Sequence, residues 1–257
     1  GWKLERSRQW AVRMHHEAKE WPQNCFITLT YDDQNVPEDF SLNLRHWQLC
    51  MKRLRKSLSN SIRYYACGEY GDLNGRPHYH AIIFNHDFSD KIKHSVNTQN
   101  QPIFTSKSLT NLWAMGHATT QDVTFKAAAY VARYVTKKIN SSDAYGADRY
   151  YRVSPIDGRY HSVKPEFAVM SRRNGLGYKY VEQFKSDFYP SGFIVVDGVK
   201  QAPPKFYVSK LTEEEQLRLK RQARKLSLKN KPHTTTERRL ARAAVRDARI
   251  SNLRRPL

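Results

Sequence analysis

The chain has 257 residues, 39% of them hydrophobic, and a formal net charge of +20. That is enough apolar material for a sizeable core, which excludes a disordered polypeptide, and enough excess Lys and Arg to select a polyanionic partner, nucleic acid first, through counterion release. Three cysteines without CxxC spacing exclude a disulfide framework and a zinc knuckle, and no apolar run approaches the ~20 residues that cross a bilayer, so a soluble protein in a reducing compartment is expected.

The opening GWKLERSRQWAVRMHHEAKEW reads as an amphipathic helix ending near Trp21-Pro22, without the apolar core of a signal peptide. It begins at Gly1 rather than Met, as a processed or engineered start would. CFITLTYDD is a short β-rich strand, and LNLRHWQLCMKRLRKSL spaces its apolar residues as a helix. IRYYACGE and HYHAIIF then form a hairpin, with Asn74-Gly75 as the turn signal between them. Ser106 caps a short helix running through Trp113, and GHATTQDV is another strand. FKAAAYVARYVTKKI, rich in alanine and free of Gly and Pro, is the strongest helix in the chain. Hairpins turning at Asp157-Gly158 and Asp197-Gly198 follow, separated by a helix over 178–184.

Pro203-Pro204 marks a boundary, after which two charged helices are expected, near Glu213–Lys229 and 236–250. Residues 205–257 hold sixteen Lys or Arg against five Asp or Glu, a net +11. This divides the chain into a domain over 1–204 and a basic helical extension over 205–257, which either binds DNA without reading sequence or is a solvated tail. Helices interleaved with hairpins argue for an α+β fold with a central antiparallel sheet flanked by helices.

Two constellations carry chemistry. His78 and His80 project from one face of their strand, about 6–7 Å apart along it, and the hairpin brings Glu69 back beside them. One carboxylate and two imidazoles leave coordination positions open, as a catalytic metal requires; the set also fits non-haem iron, or a polar strand end touching backbone or phosphate. Asp72, in the same loop, competes with Glu69 for the role. On the alanine-rich helix, Tyr130 and Tyr134 are four residues apart and share a face, with Arg133, Lys137 and Lys138 supplying charge suited to a phosphate backbone. Such tyrosines pack, stack on bases, or act as nucleophiles where lysine or a metal-bound phosphate favours the phenolate.

FITLTY, RPHYHAIIF and YVARYVTKK, in that order, resemble the HUH endonucleases, and more closely the replication initiators of microviruses, the gokushovirus-like single-stranded DNA bacteriophages. LERSRQWAVR, PEFAVMSRRNGLGYKYVEQF and FYPSGFIVVDGVK extend the likeness over most of residues 1–204. The resemblance implies a ferredoxin- or RRM-like core with the histidines on a middle strand and the tyrosine helix packed over it. It also implies Glu69, His78 and His80 as ligands of Mg2+ or Mn2+, and Tyr130 and Tyr134 as nucleophiles. The implied activity is metal-assisted nicking of single-stranded DNA at the phage origin, with a 5′-phosphotyrosyl intermediate, a free 3′-hydroxyl for rolling-circle replication, and strand rejoining. Host polymerase or helicase would be partners in the bacterial cytoplasm. The chain departs from the pattern at Arg133, where lysine is frequent, and in having no cysteine-rich segment before LERSRQW, so an N-terminal piece is expected to be missing. The alternative is a non-catalytic single-stranded nucleic-acid-binding protein using Tyr64, Tyr65, Tyr79, Tyr130 and Tyr134 as stacking platforms.

Overall fold

The computed structural model of the protein describes residues 2–71, 75–137, 150–153 and 158–251. The chain folds into two compact units, Gly1–Val96 with Gln101–Tyr180, and Asn97–Asn100 with Val181–Leu257.

The first unit contains α1 (Trp2–Lys19), β1 (Asn24–Tyr31), α2 (Leu44–Ser57), β2 (Arg63–Tyr70), β3 (Pro77–Phe84), β4 (Lys91–Val96) and β5 (Pro102–Ser106). It continues with α3 (Lys107–Trp113), β6 (Gly116–Asp122), α4 (Phe125–Lys137), β7 (Tyr151–Val153), β8 (Tyr160–Ser162), β9 (Phe167–Met170) and the start of α5 (Tyr178–Gln183). Seven strands form one antiparallel sheet in the order β4-β5-β6-β1-β3-β2-β9. The protein therefore has the expected α+β fold, and β3 is an interior strand between β1 and β2. Local signals hold where they are described: Ser106 caps α3 by accepting from the Leu109 amide, and Asn43 caps α2 by accepting from Arg45. The sequence offers little sign of β4, whose residues after Lys91 are all exposed, because alternation becomes legible only when one strand face is buried. Asn74 and Asp157 lie outside the described residues.

Each face of the sheet has its own core. On one, Ile27, Leu29, Tyr31, Tyr79, Ala81 and Ile83 pack under α2 and α3 through Trp47, Met51, Leu109 and Trp113. On the other, Phe26, Tyr65, Cys67, Ile82 and Phe84 pack under α1 and α4 through Ala11, Met14, Ala128, Val131 and Ala132. The alanines of α4 let its backbone approach the sheet closely, which matters for the site below. Gly68 serves the first core: a Cβ there would stand 2.9 Å from both Leu42 and Phe167.

The second unit carries β10 (Ile194–Val196) and β11 (Val199–Gln201), joined by an Asp197-Gly198 turn with both φ angles positive, as the dipeptide predicts. Three helices follow, α6 (Lys205–Val208), α7 (Glu213–Lys229) and α8 (Thr236–Ser251). Among the described residues no helix is long and apolar enough to cross a membrane.

Candidate metal and tyrosine site

The hairpin register decides the cluster. Glu69 on β2 lies directly opposite His78 on β3, and His80 lies opposite Cys67, so all three side chains share the α4 face of the sheet. Their candidate ligand atoms lie within 4.8 Å of one another. Glu69 and His80 are buried, at 3% and 7% exposure, while His78 is half-buried. The Nε2 atoms of His78 and His80 converge on Glu69 Oε1, at 3.1 and 2.8 Å.

The other nitrogen of each ring is already engaged. His78 Nδ1 lies 3.0 Å from the Arg76 carbonyl oxygen, which only a protonated Nδ1 satisfies, and this leaves Nε2 as the ligating nitrogen. His80 Nδ1 lies 2.9 Å from Thr28 Oγ1 on β1, the residue paired with it across the sheet. Arg76 is anchored in turn by donating to the Tyr31 carbonyl at 2.9 Å and by an ion pair with Asp33. The histidines are therefore held in orientation from behind, the arrangement typical of metal-binding imidazoles.

Burial pushes the Glu69 carboxyl up, but hydrogen bonds and charge from His78 and His80 outweigh it and bring it down to about 2. A buried carboxylate kept ionised suits it to hold a cation rather than to take up a proton. Two Nε2 atoms and one carboxylate oxygen, converging and supported from behind, fit a divalent ion with open positions.

Tyr130 reaches this cluster from α4. Its hydroxyl donates to Glu69 Oε1 at 3.1 Å and lies 3.5 Å from His80 Nε2. Its ring stands edge-on to His80, with centroids 5.1 Å apart, while Phe26 stacks on the same imidazole at 5.6 Å. Tyr134 is one turn further along α4, and Lys137 ends that helix; neither side chain is among those described. Arg133 is exposed on α4, and Lys138 and Asp72 lie outside the described residues. Thr28 is the residue that sequence reasoning passed over. Its place in FITLTY puts it on a strand, but its partnership with His80 depends on the β1–β3 register.

Residues 24–139, from the start of β1 past the end of α4, match the replication-associated protein ORF2 family. This span holds all of Glu69, His78, His80, Tyr130 and Thr28. The replication-associated protein VP4 of Bdellovibrio phage phiMH2K is 33% identical over 214 residues, covering 80% of this chain and 63% of its own length. The chain belongs to the microvirus-type replication-associated proteins. A second relative in this family, ORF2 of Spiroplasma virus 4, is 30% identical over 234 residues, which is 83% of this chain and 66% of the relative. ORF4 of Chlamydia phage 1 is 28% identical over 213 residues, 79% of this chain and 49% of the relative. The chain thus spans a little under two thirds of the first two family members and half of the third. No solved structure matches it.

Proposed function

We propose that this chain carries the nicking and joining centre of a phage replication initiator acting on single-stranded DNA at the origin. The observation that supports it most is the Tyr130 hydroxyl meeting Glu69 and His80 from a separate element, at 3.1 and 3.5 Å. A purely structural strand end has no need of a phenol there, whereas phosphoryl transfer needs a nucleophile beside the charge that neutralises phosphate.

Glu69, His78 and His80 would hold Mg2+ or Mn2+, which when bound polarises the scissile phosphate. Tyr130 Oη attacks phosphorus, the Oη–P bond forms and the P–O3′ bond breaks. The phenolic proton passes to solvent, and the departing O3′ takes one up as a free 3′-hydroxyl. The 5′ phosphate stays on the tyrosine, so the bond energy is kept and a 3′-hydroxyl can reverse the step to rejoin strands. Glu69 orients the phenol by accepting its hydrogen bond. Tyr134, one turn along the helix, would serve a second transfer, and Arg133, Lys137 and Lys138 would contact the strand. The 3′ end would feed host polymerase and helicase in the bacterial cytoplasm.

The test is denaturing electrophoresis after mixing the chain with origin single-stranded DNA and manganese. A denaturant-resistant protein–DNA band is expected, absent with chelator and absent in the Tyr130→Phe, Tyr134→Phe double variant. A band that persists in the double variant would overturn the assignment, and no band under any metal would favour a binding protein.

A further inference from the structure

The two long helices of the second unit bury none of their described residues, so core packing does not explain their composition. On α8 the 3.6-residue period places Arg238, Arg239, Arg242 and Arg246 within an arc of roughly 100°, with Glu237 and Asp247 outside it. All four arginines are exposed. Arg238 donates to His233 Nδ1 at 2.7 Å, and Arg246 makes a loose 3.4 Å pair with Asp247, both on the solvent side. On α7 the acids are gathered in the first turn, where Thr212 and Glu215 form a capping box, while Arg218, Arg221, Lys225 and Lys229 share one face beyond it.

We propose that the arginine face of α8 binds the sugar-phosphate backbone of duplex DNA, without sequence preference and independently of the tyrosine site. Three features select the duplex. First, no Phe, Trp or Tyr follows Tyr207, so this segment has no platform on which unpaired bases can stack, the main source of single-strand affinity. Second, Arg238 to Arg246 extend about 12 Å along the axis, comparable with the width of a major groove, so one helix face can reach phosphates on both sides of it. Third, the remaining arc of α8 is mostly Ala241, Ala243, Ala244 and Ala248, with Leu240 and Val245. That is too little large apolar surface to insert into a bilayer or to close a stable helix–helix seam.

The probes are a duplex lacking origin sequence, a single strand of equal length, and phosphatidylglycerol vesicles, each titrated with the full chain at several salt concentrations. In the variant carrying Gln at 238, 239, 242 and 246, duplex affinity should fall at least tenfold and its log–log salt slope should flatten by about 3.6. Single-strand affinity should change by less than about twofold, and the all-Lys variant should keep duplex binding, since phosphate contact needs charge rather than a guanidinium fork. Duplex binding unchanged in the Gln variant would overturn the proposal, as would equal loss on single strand and duplex, or vesicle binding stronger than duplex binding. Origin adduct formation, measured in parallel with both variants, should be unaltered, so failure here is separable from failure of the tyrosine chemistry.

Discussion

Neighbouring residues of one strand, Tyr79 and the two histidines flanking it, enter opposite faces of the same sheet and meet opposite fates. Tyr79 is buried and its hydroxyl is fully used, bonded to Tyr31 Oη at 2.7 Å, to the Asn43 amide at 2.9 Å and to the Asn43 carbonyl at 3.0 Å. Burial raises both Tyr31 and Tyr79, so these phenols stay protonated and serve as struts. His78 and His80 have one nitrogen tied back and the other converging with a carboxylate and a phenol. A polar cluster whose groups all satisfy one another rigidifies a core. One whose polar atoms point at a common position can take a ligand.

The largest effect should come from the open face. Glu69→Gln removes the charge that two imidazoles support, and adduct formation should fall about a thousandfold, near 4 kcal/mol in the barrier, with loss of manganese binding by calorimetry. A variant that still binds manganese and forms adduct at the normal rate would make Glu69 part of a second structural cluster, erasing the contrast.

Tyr79→Phe should do the reverse. It leaves Tyr31 and the Asn43 backbone short of partners, costing about 1–3 kcal/mol in urea unfolding, while the adduct rate at saturating DNA stays within about twofold. A large loss of rate with no loss of stability would show that the closed face takes part in the chemistry.

The smallest expected change sharpens the comparison at Thr28. Thr28→Val keeps the shape but removes the hydroxyl that orients His80, and manganese affinity should drop about tenfold, with Thr28→Ser restoring most of it. Equal affinity in the wild type and the Val variant would leave His80 positioned by Phe26 stacking alone.

By itself the sequence determined what depends on neighbours along the chain. Alanine content and the absence of Gly and Pro specify α4, Ser106 starts α3, and the two-residue period puts His78 and His80 on one face. Glu69 was legible too, because a hairpin's register follows from a short loop. The tertiary structure alone decided the strand order, and with it that β1 lies beside β3 and offers Thr28 to His80 across 52 residues. It also decided that Tyr130 is the tyrosine beside Glu69, 61 residues away, since helical spacing shows a shared face but not what that face meets. The physical reason is one of range: propensity, capping and side-chain alternation act within a few residues, whereas strand neighbours and helix docking are chosen by which apolar faces bury each other.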